Sequence, residues 1–245
     1  MPSKMVTDRQ KSAESVRAAL NTHSGAMARG VAETLGDPAL VPGVEKIVAT
    51  SAARLATVTG AMVQADDRNL RERGEDVTAR EAFDARVGEL RADLVGLRGA
   101  VAGVLGEGAV RTLGFAGSTP DDGVALERLA LTVIENLGKL ATPTYAVPGF
   151  SFDPAPWKTR LQAHVEPLGK ARAAFAAEVR ESEATQTAKD KAVAEYDRTF
   201  SRIATLASAL LEIAGEGELA RRVRPSSRRP GRTVADGDVD PVPVP

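Results

Sequence analysis

The sequence predicts an all-α protein: an antiparallel bundle of about five long amphipathic helices, with an extra N-terminal helix and a disordered C-terminal tail. Three observations carry that expectation. Apolar residues recur at three- and four-residue spacing over long stretches, the period that keeps returning side chains to one face of a helix. The 43% hydrophobic content is dominated by Ala, Val and Leu with only 4% aromatic, which suits helices packed closely side by side better than an aromatic-lined ligand pocket. Glycines and prolines fall where such helices would stop and start.

Residues 8–36 read as a weaker amphipathic helix, with Val16, Leu20, Met27, Val31 and Leu35 on one side and Gly25 and Gly30 interrupting it. Residues 1–37 are therefore expected to form an N-terminal arm that docks late or loosely, and the bundle proper is expected over 38–216. Its first helix carries a seam through Val44, Val48, Ser51, Leu55, Val58 and Met62, turns polar at "ADDRNLRERGED" and is expected to stop at Gly74. The clearest seam follows over 78–105, where Phe83, Val87, Leu90, Leu94, Leu97, Val101 and Val104 alternate four and three. Thr78 and Glu81 stand at capping-box spacing at its start. So short a link near 74–77 makes these two helices antiparallel neighbours.

The next helix is announced by "STPDD": Thr119 as cap, Pro120 in the first turn, and Asp121 and Asp122 at the positive end of the macrodipole. Its apolar face runs through Leu126, Leu129, Val133, Leu137 and Leu140, and it ends before Pro143. The corner "YAVPGFSFDPAPW" then holds Tyr145, Phe150, Phe152 and Trp157 in a chain otherwise short of aromatics. Asp153 is the expected cap of the following helix, Pro154 its first residue, and Phe152 and Trp157 fall at the two positions of a hydrophobic staple. These four aromatics are a candidate protein-interaction surface, since Tyr and Trp anchor interfaces disproportionately; as a staple, they instead plug the end of the bundle.

That helix carries Trp157, Leu161, His164, Leu168, Ala171, Phe175 and Val179 on its seam, and the last one carries Val193, Tyr196, Phe200, Ile203, Ala207, Leu210 and Ala214. No proline or glycine separates them across "SEATQTAKDK". Length favours a break: a continuous helix over 156–214 would run about 88 Å, roughly twice the helix over 78–105. Ser182, Gln186 and Lys189 would also put polar groups on the seam, and Thr187 and Asp190 stand at capping spacing, so a turn is expected near 183–187.

Beyond Gly217 the composition shifts to "ARRVRPSSRRPGRTVADGDVDPVPVP". With almost no large apolar residue, residues 217–245 are expected to be disordered. Arg221, Arg222, Arg224, Arg228, Arg229 and Arg232 form the one local basic feature, able to make weak, sequence-independent contact with nucleic acid or another acidic partner.

The glycine-rich apolar stretch 99–117, "GAVAGVLGEGAVRTLGFAG", is the least ordinary segment. A phosphate loop would need a Lys and Ser or Thr after the last glycine, and a dinucleotide fingerprint would need a strand before the first; the sequence provides neither. Glu107 and Arg111 each cost several kcal/mol at mid-bilayer, which excludes a resident span. As a joint between helices, the segment should shield Val110 and Leu113 and leave the two charges in water.

The formal charge of −1 provides no global field for nucleic acid or an anionic membrane surface, and the absence of cysteine removes disulfides and thiolate chemistry. His164 reads as a satisfied core histidine, with only His23 to join it, so no metal and no other cofactor is implied. Asp66 with Asp67 and Glu181 with Glu183 read as solvated helix faces. No "GxSxG" elbow is present, and no catalytic residue is assigned. The start lacks the apolar run of a signal peptide, which predicts a cytoplasmic protein, and the Arg-over-Lys bias with scarce Asn and Ile points to a GC-rich bacterial genome. The expected role is that of a non-catalytic helical-bundle interaction or scaffold protein, partnered by another protein or by itself. Long amphipathic helices with one glycine-rich apolar hairpin also resemble the architecture of helical pore-forming toxins of the cytolysin A kind. That resemblance implies the alternative, a membrane-active bundle using 99–117.

Overall fold

In a computed structural model, residues 2–139, 149 and 151–234 are described. The elements in chain order are α1 (Lys4–Leu35), a 3-10 turn (Pro38–Leu40), α2 (Val41–Leu105), α3 (Glu107–Thr112), α4 (Gly123–Lys139), α5 (Pro154–Ile213) and α6 (Gly217–Val223). The only β pairing among the described residues is one isolated bridge between Pro225 and Thr233. The protein is an all-α bundle.

Two expected breaks are absent. α2 passes through Gly74 and α5 through 183–187, and the hydroxyls placed as caps instead donate backwards within their helices, Thr78 to the Gly74 carbonyl at 3.4 Å and Thr187 to the Glu183 carbonyl at 2.9 Å. The stretch around Gly74 is rich in Glu and Arg, and one glycine among good helix formers costs only about 1 kcal/mol, too little to end a helix. The length argument fails because α2, at 65 residues, is as long as the 60-residue α5. Pro167 lies inside α5.

The chain divides into two units, Met1–Arg71 with Glu183–Pro245, and Glu72–Ser182. This division differs from the expected one at 37 and 216. In the first unit, α1, α2, α5 and α6 share a core that includes Val16, Leu20, Met27, Leu55, Met62, Tyr196, Phe200 and Val223. α2 and α5 run antiparallel there, with Arg54 paired to Glu195 and Asp66 to Lys189. α1 is unbroken, and Gly30 has a packing role: a Cβ there would lie 2.9 Å from the Ala214 Cα and 3.0 Å from the Ile213 carbonyl oxygen. α1 ends at Gly36 with φ 71°, while the Asp37 amide donates to the Ala32 carbonyl.

In the second unit the seam Leu90, Leu94, Leu97 and Val101 of α2 packs with Leu126, Ala130, Val133 and Leu137 of α4 and Leu161 and Leu168 of α5. Phe83 stacks on Phe175 with ring centroids 5.8 Å apart. α4 starts later than expected: the cap is Asp122, whose Oδ1 accepts from the Val124 and Ala125 amides at 3.1 and 2.8 Å, while Thr119 is buried. The close approach at Gly123 sets this start, since a Cβ there would lie 2.6 Å from Phe83 Cζ. Asp153 caps α5 by accepting from the Ala155 amide at 2.9 Å, and Pro154 is its first residue. Leu140 and Pro143, expected at the end of α4, lie outside the described residues.

Residues 99–117 form a joint. α2 closes at Gly106 with φ 83°, α3 makes a short turn, and Val110, Leu113 and Phe115 are buried while Glu107 and Arg111 are exposed. No helix among the described residues is long and apolar enough to cross a membrane.

Candidate functional site

Of the aromatic candidates, Tyr145 and Phe150 lie outside the described residues. Phe152 is 6% exposed and part of the second unit's core, and Trp157 is partly buried against it. The pair occupies the staple positions around the Asp153 cap. It forms no exposed aromatic surface.

The arginine block is built differently from a free tail, whose expected start at 217 falls inside ordered structure; residues 235–245 lie outside the described part. A turn at Gly215, φ 81°, leads into α6, which buries Ala220 and Val223 and whose Ala220 carbonyl accepts from the Ser208 hydroxyl at 3.0 Å. The chain then folds back on itself. The Ser226 amide donates to the Arg232 carbonyl at 2.8 Å, and the Val234 amide donates to the Arg224 carbonyl at 3.0 Å. Inside this loop the Ser226 hydroxyl accepts from the Arg228 and Arg229 amides at 3.3 and 3.1 Å, the local turn chemistry for which serine is suited.

Gly231 is the anchor. It is buried with φ 74°, and a Cβ there would lie 2.0 Å from Asp197 Oδ1 and 2.9 Å from both Arg9 Nε and Tyr196 Cε1, so only glycine fits. Arg9 grips Asp197 with two hydrogen bonds of 2.8 Å. The Tyr196 hydroxyl lies 2.6 Å from the Arg9 carbonyl and 3.1 Å from the Gly231 carbonyl, its single proton serving both. Burial, and then the Asp197 charge, push that hydroxyl well above the usual tyrosine range, so it stays a donor. Arg232 closes the far side on Asp8 at 2.9 Å.

Five arginines, Arg221, Arg222, Arg224, Arg228 and Arg229, are exposed on this fixed frame, while Arg232 is half-buried in its ion pair. Arg221 is paired with Glu218. The guanidinium groups of Arg222, Arg224 and Arg228 meet no carboxylate among the described residues. The residues that fix the loop, Asp8, Arg9, Tyr196, Asp197 and Gly231, have no place in a composition-based reading. The Pro230-Gly231 dipeptide was the one local signal, since such pairs mark turns even in polar sequence.

The other ionisable clusters join helices. Asp93, 4% exposed, takes a forked pair from Arg160 at 2.7 and 2.6 Å, and His164 Nε2 lies 3.0 Å away. His164 is thus satisfied by a carboxylate, at the edge of the core rather than within it. Asp66 is fully buried, not solvated as expected. Burial pushes its carboxyl up, but Lys189 at 2.7 Å and the Ser3 amide and hydroxyl at 2.6 and 3.1 Å outweigh this and hold it below the usual aspartate range. Glu72, Glu75 and Glu178 bring carboxylate oxygens within 4.8 Å of one another. Desolvation, and then the charges of Glu181, Glu75 and Glu178, raise the Glu72 carboxyl above the usual range.

No family model matches the chain, and no curated protein or solved structure matches it either.

Proposed function

We propose that the chain is a non-catalytic interaction protein that receives an anionic partner on its arginine loop. The observation that carries this reading is the Gly231 anchor. It holds Arg224 and Arg228 on a folded loop next to Arg222 of α6, and none of the three meets a carboxylate among the described residues, so these charges lose less freedom on contact than the same residues on a free tail. The buried carboxylates Asp66 and Asp93 support a structural use of charge elsewhere, because each is bound by cations from a neighbouring helix. The burial of Val110, Leu113 and Phe115 speaks against the membrane-active alternative.

The test is fluorescence anisotropy with two labelled probes, a 20-base-pair DNA duplex and polyglutamate, across a salt series. The expected result is binding of at least one probe that weakens about tenfold in the Arg222→Ala, Arg224→Ala, Arg228→Ala variant, with a shallower salt slope. No binding of either probe at about 50 mM salt, or a variant that binds like the wild type, overturns the reading.

A further inference from the structure

In the first unit an open groove of about 570 Å³ runs between the first turns of α2 and the last turns of α5. Ile47 and Ile203 form its apolar surface, Ile47 being 52% exposed and Ile203 8%. Thr50 and Thr199 add short side chains that admit a close neighbour. On α2 the lining extends from Gly43 to Arg54, about 16 Å at 1.5 Å per residue, or three turns of helix. The rim is cationic. Arg54 is met by Glu195 at 2.7 Å, but Lys46 on one wall and Arg202 on the other have no carboxylate partner among the described residues.

We infer that this groove docks an amphipathic helix of a partner protein, with an apolar stripe of about three turns flanked on both sides by Asp or Glu. Both walls are helices whose backbone groups are already paired, so an extended peptide would bury amides with nothing to receive them, whereas a helix satisfies its own. A nucleic acid would leave the exposed Ile47 surface without an apolar complement. Lys46 and Arg202, one on each wall and without a carboxylate partner among the described residues, select acidic flanks over basic ones. A docked helix would add a fourth member to the group formed by α1, α2 and α5, the arrangement that four-helix bundles use. This site is separate from the arginine loop and does not depend on it.

The probes are two labelled synthetic peptides of 18 residues, both with leucines at i, i+4, i+7 and i+11, one with glutamates and the other with lysines on the flanks. Anisotropy against the full chain is expected to show the glutamate peptide binding at least about tenfold more tightly than the lysine peptide. Ile47→Asp and Arg202→Glu are each expected to weaken it about tenfold, with wild-type circular dichroism and melting. All peptide titrations are made in the Arg222→Ala, Arg224→Ala, Arg228→Ala background, which removes the arginine loop as a competing site for glutamate. Equal binding of the two peptides, or persistence of binding when Ile47→Asp is added to that background, overturns the assignment. So does a concentration-dependent dimer in sedimentation that Ile47→Asp abolishes, which would give the groove to a second copy of this chain.

Discussion

Both units pair a length of α2 with a length of α5 and add a third helix, yet they secure that helix by different means. In the second unit α4 lies close in sequence to both partners and brings a stripe of Leu126, Val133 and Leu137, whose bulk fixes its position. In the first unit, α1 has alanines at many of its buried positions, among them Ala13, Ala19, Ala28 and Ala32. Alanines pack closely but distinguish one register poorly from the next. There, polar contacts between remote parts of the chain supply the distinction: Ser3 on Asp66, Arg9 on Asp197, and Asp8 on Arg232. The contrast is one of weight: bulky apolar residues dominate where the partners are local, with Glu127 of α4 paired to Arg172 as a supplement, whereas directional polar bonds carry more where the partners are remote and small.

The strongest challenge to the apolar half is Leu94→Asp, fully buried at the centre of the seam. It should cost more than about 4 kcal/mol by burying an unpaired carboxylate, and should remove cooperative melting of the second unit. An unchanged thermal midpoint would end the claim that this seam holds the unit together.

For the polar half, Asp66→Ala should cost about 3 kcal/mol, because it leaves Lys189 with only 12% of its side chain exposed and no counter-charge. Asp66→Leu combined with Lys189→Met should recover most of that loss, yet leave the α1 amides exchanging faster than in the wild type if the ion pair sets register. Because the folded carboxyl titrates below its usual range, the stabilisation is present above the ordinary aspartate pKa and fades as pH falls through the folded value. Melting of the wild type should therefore fall more steeply in acid than that of the double variant.

Gly231→Ala sharpens the comparison further, since it tests the close approach of a backbone to the Arg9–Asp197 pair and Tyr196 rather than an apolar seam. At φ 74° and with no room for a Cβ, the substitution should cost about 2 kcal/mol, open the loop over 224–232 to proteolysis and weaken anion binding. The smallest effect belongs to Glu72→Gln. The folded carboxyl is raised, so its contribution is present below the ordinary glutamate range and is lost as pH rises through the folded value. The variant should match the wild type in acid and melt slightly higher near neutrality. A lower melting temperature near neutrality would show that the Glu72 charge is favourable there.

Much of the fold was legible where one residue type has one structural use. The seams, the Asp153-Pro154 start of α5, the Phe152 and Trp157 staple positions and the burial of Val110 and Leu113 all follow from spacing and cap chemistry. The breaks expected at Gly74 and at 183–187 are absent because polar residues on a seam do not by themselves mark a surface. In the structure Asp66, Asn69 and Lys189 face other polar groups across the helix pair, Asn69 through a 3.3 Å bond to the Thr185 hydroxyl. Complementary polar pairs look like loop residues until both strands of the pair are known. The arginine block was visible as charge, but its order was not. That order rests on a glycine that fits a tight space and on carbonyl groups aimed at Tyr196, and neither adds to the apolar content by which disorder is judged.

The two halves of the first unit flank the second in sequence, and this imposes an order on synthesis. When residues 72–182 have been made, α1 and the first part of α2 have still not met the segment that carries Tyr196, Asp197 and Gly231. Arg9 must wait for a partner 188 positions away. Throughout that interval Val16, Leu20 and Met27 lack the α5 part of their core, and the apolar surface they leave uncovered favours aggregation until that part of α5 has been made.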